Sequence, residues 1–174
     1  MDEIRLIIPT ADYADQIWEY RARFAESKED SGGCGDLLDC ATVQEWLDFS
    51  AAQADPARCP EGRVPADTYL AVRTGDHRLV GMIDLRHHID HPILGTWGGH
   101  IGYSVHPDER RKGYATRMLQ MDLENARRLG IPRVLITCDD GNIASEKTIL
   151  RNGGVYENSI PVEGRMVKRF WIEL

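Results

Sequence analysis

The sequence predicts an α+β fold in which a mixed sheet is flanked by helices. Periodic segments follow the order strand, two helices, three strands, helix, strand, helix and two strands. Glycine-containing turns at Gly75-Asp76 and Glu163-Gly164 join neighbouring strand segments in the manner of hairpins. The short apolar run 134–138 has the composition of a buried central strand. Together these observations indicate a single domain over residues 1–174.

The first half of the chain divides into elements at clear local signals. Alternation ended by a proline predicts a strand over residues 4–9, and Thr10 and Asp12 are candidate N-caps of a helix over 13–27. Thr42 and Glu45 form a capping-box pattern at the start of a second helix that ends near residue 54. Alternating apolar segments then predict the next three strands, at residues 68–74, 78–89 and 100–105.

The second half is predicted to begin with an amphipathic helix over residues 114–129, which Gly130 and Pro132 end. Its apolar side chains recur at helical spacing and form a core stripe: Ala115, Met118, Leu119, Leu123, Ala126 and Leu129. Asn142 is a candidate cap of the last helix, which extends to about residue 152. Strands over 155–160 and 166–173 are predicted to close the domain as a hairpin.

The composition is that of an acidic globular protein. The chain has 21 lysine and arginine residues against 28 aspartate and glutamate residues, a formal net charge of −7. This balance argues against nucleic acid as the main partner. The terminus Met-Asp-Glu lacks a signal-peptide pattern and no apolar run has membrane-spanning length, so we expect a cytoplasmic protein without a membrane partner. Cys34, Cys40, Cys59 and Cys138 lack zinc-site spacing, which predicts reduced thiols and no metal.

A basic turn before the third predicted helix is the strongest candidate for a binding site. Arg110, Arg111 and Lys112 crowd a helix start, where the macrodipole is already positive and backbone N–H groups are unpaired. Cations are unfavourable there unless an anion completes the site. Gly113 and Ala115 leave room for a ligand to approach the backbone closely. The pattern predicts a phosphate-binding turn, and a solvated basic turn is the alternative.

Two motifs resemble those of the GNAT acetyltransferase superfamily. Arg-x-x-Gly-x-Ala, beginning at Arg110, resembles its acetyl-CoA-binding motif, and the segment from Asn142 to Gly153 resembles its closing helix motif. The order of elements matches this family over nearly the whole chain. The resemblance implies a mostly antiparallel sheet of about seven strands with a splayed parallel pair. The string Gly-Gly-His-Ile-Gly-Tyr-Ser-Val further resembles a subgroup of predicted bacterial acetyltransferases.

This resemblance implies acetyl-CoA as cosubstrate. The turn would bind its diphosphate, the amide at or near Val105 would bind the thioester carbonyl, and Asn142 with Ser145 would orient the pantetheine arm. Asn142 has an equal alternative as an ordinary helix cap. The residues expected to bind the cosubstrate are Val105, Arg110, Arg111, Lys112, Gly113, Tyr114, Ala115, Thr116, Asn142 and Ser145.

The sequence departs from the family at the residue that protonates the leaving thiolate. Many members have a tyrosine where this chain has Ile149, and isoleucine has no proton to give. Tyr156 and Tyr103 are candidate substitutes, although either ring would also suit packing on a sheet. Water together with alignment of the two substrates would be a third solution.

The general base is left open among several side chains. His87, His88 and His100 lie on strands predicted to border the acceptor cleft, and histidine has a suitable pKa. Acidic residues of the predicted loops 29–39 and 55–65 are alternatives, and the loop 55–65 would also form a wall on the acceptor side. The overall acidity suggests a cationic acceptor, or serves solubility alone.

The resulting hypothesis is a transfer of the acetyl group from acetyl-CoA to a primary amine of a small molecule or peptide, by direct attack in a ternary complex. Ile149 also favours an alternative, a non-catalytic CoA-binding sensor or interaction module with the same fold. A binding protein for another phosphorylated ligand is the third possibility. We expect a monomer or a homodimer.

Overall fold

The computed structural model describes residues 2–174, and its elements follow the predicted order. The strands and helices are β1 Ile4–Ile7, α1 Ala14–Ser27, α2 Val43–Ala54, β2 Ala66–Arg73, β3 Leu79–Arg86, β4 Ile101–Val105, α3 Tyr114–Arg128, β5 Arg133–Asp139, α4 Ile143–Arg151, β6 Val155–Val162 and β7 Arg165–Glu173. Short irregular helices precede α1, β4 and α3. The fold class is therefore confirmed as α+β.

The strands form two antiparallel sheets, one in the order β1-β2-β3-β4 and the other in the order β5-β7-β6. The two sheets meet at the start of β4, where His100 N–H donates to Leu135 O at 2.8 Å. Beyond this contact no ladder joins β4 to β5 within residues 2–174. The predicted splayed pair is therefore present, and it divides the seven strands into sheets of four and three.

The core lies on both faces of β2 and β3. Leu70 and Met82 contact α1 and α2, whereas Ala71 and Ile83 belong to the cluster under α3. This division follows from the alternation of side chains along a strand. The middle of the predicted stripe of α3 is buried, at Met118, Leu119, Leu123 and Ala126. At its two ends Ala115 is only partly buried and Leu129, which follows the helix, is 47% exposed.

The sequence predicts the cap of α2 correctly but not that of α1. Thr42 Oγ1 accepts a hydrogen bond from Glu45 N–H at 3.1 Å, as its capping-box pattern predicts. The expected caps of α1 are wrong, because neither Thr10 nor Asp12 makes a capping bond and a short turn at Ala11–Tyr13 leads into the helix instead. None of the helices in the described part of the chain has the length and apolar character that a membrane span requires.

Candidate active site

A cavity of about 730 Å³ lies where β4 ends and α3 and α4 begin. Most of the residues predicted to bind the cosubstrate line it: Val105, Arg110, Arg111, Gly113, Tyr114, Ala115, Thr116, Asn142 and Ser145. The structure thus brings together two motifs that are separated by about 30 positions in the sequence. The volume of the cavity is in the usual range of a small-molecule site.

The turn before α3 presents its backbone to this cavity. Arg111 and Gly113 have positive φ angles of 63° and 84°, and Gly113 directly precedes the helix. Left-handed residues in such a turn aim successive N–H groups to one side, which creates a concave anion-binding surface. The N–H groups of the first turn of α3 add to it, because no side chain caps this helix end.

The three basic side chains of the turn have different environments. Arg110 forms an ion pair with Glu29, and the Lys112 ammonium lies 2.7 Å from Glu109 Oε2. Lys112 does not line the cavity, so its side chain supports the turn from outside. Arg111 lines the cavity and forms no ion pair within residues 2–174. It is the cation of this turn that is free to meet an anionic ligand.

Glu109 anchors the turn to the four-stranded sheet. The residue is 8% exposed, and its carboxylate accepts from Lys112 at 2.7 Å and from Arg73 of β2 at 2.8 Å. Burial alone would raise the pKa of this carboxyl, but the two cationic donors hold the pKa below its ordinary value. Arg73 also donates to Tyr114 OH at 3.1 Å. The turn is therefore held in shape before any ligand arrives.

The free edge of β4 faces the same cavity. His106 N–H donates to Val80 O at 2.9 Å, and the register between β3 and β4 has no break. Hydrogen-bonded pairs alternate along antiparallel strands, so the even-numbered residues of this segment pair with β3. The N–H and C=O groups of Tyr103 and Val105 therefore point to the open edge. An extended ligand could pair with them.

Two hydroxyl groups meet beside this edge. Tyr103 OH lies 2.8 Å from Ser145 Oγ, and burial raises the pKa of the phenol, so it stays protonated. Asn142 Oδ1 accepts from Ser145 N–H at 3.1 Å and thereby caps α4. Asn142 also lines the cavity, which means that its two alternative roles are compatible.

The remaining catalytic candidates lie elsewhere. Tyr156 is 52% exposed on β6, where its ring packs on Phe170 and its hydroxyl pairs with Ser159, and it does not line the cavity. His87 pairs with Asp67 Oδ2 at 3.0 Å, and neither it nor His88 lines the cavity. Three acidic residues line the cavity: Glu29 and Asp30, which follow α1 in the predicted loop 29–39, and Glu109, which precedes the basic turn. No residue of 55–65 lines it.

His100 connects the two sheets at the point where they meet. Its Nδ1 accepts from Leu135 N–H at 2.9 Å, and the side chain is buried outside the cavity lining. Burial together with the nearby Arg86 lowers the pKa of the imidazole to about 4. This histidine is therefore neutral at physiological pH and its Nδ1 lone pair is already occupied.

We expect His100→Ala to reduce the free energy of unfolding by about 1–3 kcal/mol, because a buried N–H group loses its acceptor. Urea denaturation measures the effect. In His100→Asn the side-chain oxygen can replace Nδ1, so this variant should retain more stability. Equal losses in the two variants would contradict the assigned hydrogen bond.

Sequence reasoning missed a cationic face of α4. Lys147 and Arg151 line the cavity beside Thr148, and neither cation forms an ion pair within the described residues. Lys147 and Arg151 follow Ala144 by three and seven positions, which places all three on one helix face. This spacing could have identified the two cations from the sequence. The sequence analysis also did not identify three further lining residues, namely Phe24, Glu29 and Asp30. They could not be recognised because only the folded chain brings the end of α1 to β4.

Ile149 is completely buried in the core under α3 and does not reach the cavity. The position at which many family members have a tyrosine therefore contributes packing in this chain. Any proton donor must come from another residue, and the paired hydroxyl groups of Tyr103 and Ser145 line the cavity beside β4. Within residues 2–174, no group of three or more candidate ligands is arranged to hold a metal ion.

Comparisons with solved structures find the same fold. The ribosomal-protein-S5-alanine acetyltransferase from Vibrio fischeri is 16% identical with a TM-score of 0.71, over 98% of this chain and 91% of that one. The microcin C7 self-immunity acetyltransferase MccE, solved with acetyl-CoA and AMP, is 17% identical with a TM-score of 0.71, over 100% and 94%. RimJ from Mycobacterium smegmatis, solved with a CoA disulfide, is 19% identical with a TM-score of 0.71, over 98% and 81%.

No curated protein matches the chain by sequence. Residues 5–155, by contrast, match the family described as the acetyltransferase (GNAT) domain. This match includes the basic turn, the open edge of β4 and α4, and it spans most of the chain. The protein belongs to the GNAT acetyltransferase family.

Proposed function

We propose that this chain transfers the acetyl group of acetyl-CoA to a primary amine of a small molecule or peptide, by direct attack in a ternary complex. The observation that carries the proposal is the shared cavity: the N–H-rich turn before α3 and the unpaired edge of β4 face the same space. An anionic diphosphate fits the first, and an extended amide-containing arm fits the second. The reactive thioester would then lie near Val105.

The chain's own groups suit the cosubstrate chemically. The turn amides, Arg111 and the α4 cations Lys147 and Arg151 provide positive potential for phosphate groups. At the open edge of β4, Tyr103 offers a backbone donor and acceptor and Val105 offers its N–H group. The Val105 N–H group is our candidate for binding the thioester carbonyl, where it would stabilise negative charge on that oxygen during attack.

The reaction requires three proton movements. The attacking nitrogen loses one proton before attack, which makes it a neutral amine, and a second proton as its new bond to the carbonyl carbon becomes an amide bond. The carbon–sulfur bond breaks and the sulfur gains one proton, so one proton in total is released to solvent. Tyr103 remains protonated in its buried position and contacts Ser145, so this pair is our candidate proton source for the sulfur. Binding both substrates in one cavity supplies the alignment.

Thiol release from acetyl-CoA, measured with a panel of alkylamines, polyamines, aminoglycosides and peptides, tests the proposal. We expect turnover with at least one amine, and CoA binding by calorimetry. Absence of CoA binding would overturn the proposal. The panel also identifies the acceptor class. We would include ribosomal-protein peptides in it, because one of the solved structures with this fold is a ribosomal-protein-S5-alanine acetyltransferase.

We expect Tyr103→Phe to lower kcat by about 10- to 100-fold with little change in the KM for acetyl-CoA, because only proton transfer is affected. The same assay measures this change. Tyr156→Phe is the matched control, since its hydroxyl lies on β6 away from the cavity. Equal activity of Tyr103→Phe and the wild-type chain would exclude the tyrosine as the proton source.

A second candidate function is CoA binding without catalysis. The buried Ile149 favours it, because the family's frequent hydroxyl is absent from that position. Tight CoA binding without turnover across the whole panel would support this alternative. The hydroxyl pair of Tyr103 and Ser145 at the cavity is the observation that leads us to rank it second.

A further inference from the structure

The guanidinium group of Arg110 lies in a small site made by three other cavity residues. It forms an ion pair with the carboxylate of Glu29, and its Nε donates to Val105 O at 3.4 Å. Its central carbon lies 5.9 Å from the centre of the Phe24 ring. All four residues line the cavity. The side chain thus points to the junction of α1 and β4, although its backbone begins the basic turn.

These three groups are the ones that recognise organic cations. A carboxylate supplies charge, a carbonyl oxygen accepts an N–H bond, and an aromatic face attracts a cation within about 6 Å. The Phe24 ring is buried and lies against Tyr20 at 4.9 Å between centres, so it is a fixed wall. The hydrogen bond from Arg110 holds the pKa of Glu29 below its ordinary value, which keeps the carboxylate ionised.

The remaining charges of the cavity come from different elements. Arg111, Lys147 and Arg151 come from the turn and α4, whereas Glu29 and Asp30 follow α1. The third carboxylate of the lining, Glu109, is already bound by two cations. An anionic ligand and a cationic ligand would therefore be directed to different sides.

We propose that Glu29, the Phe24 ring and the Val105 carbonyl form the subsite for the ammonium group of the acceptor, and that Arg110 occupies this subsite in the free protein. This inference rests on the proposed function and names its substrate class, an aliphatic primary amine that is charged in solution. Val105 N–H and C=O point to the same edge of β4. An amine at the carbonyl would lie beside a thioester held by the N–H group.

Arg110 must leave the subsite before the acceptor binds. The diphosphate of the cosubstrate binds at the turn that carries Arg110, so it competes with Glu29 for this guanidinium. Binding of the cosubstrate would thus release Glu29 and the ring face together. The expected consequence is that the cosubstrate binds first.

Replacing the internal cation tests the subsite without turnover. Arg110→Met keeps the length of the side chain but removes its charge. We expect it to bind butylammonium, titrated by NMR without cosubstrate, at least about fivefold more tightly than the wild-type chain does. The gain should disappear in Arg110→Met/Glu29→Gln and persist in Arg110→Met/Glu26→Gln, since Glu26 is exposed and does not line the cavity. No gain, or a gain that survives Glu29→Gln, would overturn the proposal.

Kinetics provides the second measurement. In an otherwise wild-type chain, we expect Glu29→Gln to raise the KM for the amine by about tenfold and to change the KM for acetyl-CoA by less than about threefold. An unchanged amine KM would also overturn the subsite. If the wild-type chain shows no turnover with any amine, the proposed function fails, whereas the butylammonium titration still decides the subsite.

Discussion

Gly113→Val is expected to weaken CoA binding by about 100-fold or more, measured by calorimetry. Gly113 has a φ angle of 84° at the point where the basic turn enters α3. A branched side chain is disfavoured in this conformation, and it would also project from a turn whose N–H groups face the cavity. Both effects act on the concave surface that is proposed to bind the diphosphate.

A matched variant separates ligand binding from backbone strain. Gly62 has a similar φ angle of 78°, and a Cβ atom there would meet no atom within 4 Å. Gly62→Val should therefore lose about 1–2 kcal/mol of stability, as expected of a left-handed residue, but bind CoA normally. Unchanged CoA affinity in Gly113→Val would show that the turn is not the diphosphate site.

Asp122→Asn is expected to stabilise the fold, and to do so more strongly as the pH rises. Asp122 lies on the buried face of α3, and its Oδ2 has no hydrogen-bond partner within residues 2–174. Burial raises the pKa of its carboxyl to about 7, against a usual value near 3.8. A raised folded-state pKa means that ionisation destabilises the fold. The loss of stability caused by this ionisation therefore grows as the pH rises from the ordinary pKa to the raised pKa, and it is constant at higher pH.

Urea denaturation at pH 5 and pH 8.5 measures this difference. One pKa unit corresponds to about 1.4 kcal/mol, so the stability gap between Asp122→Asn and the wild-type chain should widen by about 2–3 kcal/mol. Glu124→Gln is the control, because Glu124 lies on the exposed face of the same helix. A gap that does not widen with pH would mean that Asp122 is ionised without cost.

Features encoded within a few residues were predictable. Gly113 is one of the two left-handed residues of the basic turn, and Asn142 caps α4 by accepting a hydrogen bond from the backbone N–H three positions later. The hydrophobic spacing of α3 predicted its core face because helical periodicity is local. The same periodicity did not reveal Asp122, since a polar residue on an apolar stripe carries no sign of what it faces.

Features that depend on distant partners were not predictable. Arg110 and Glu29 are 81 positions apart, and nothing in either segment indicates that they pair. Tyr103 and Tyr156 were equivalent candidates by sequence, yet the first meets Ser145 at the cavity and the second lies on the exposed part of β6. Strand alternation gives each side chain a face but not a neighbour.

The sequence by itself determined the order of elements, the N–H-rich turn and the family motifs, because these depend on spacing and on local backbone preference. The tertiary structure alone decided which charges remain free. It paired Arg110 with Glu29, which is 81 positions away, and it left Arg111 facing the cavity, whereas the pair of Lys112 with Glu109 spans only three positions. The physical reason is that an ion pair requires two groups to come within a few ångströms, and only the packing of α1 and the sheets against β4 and α3 brings them there.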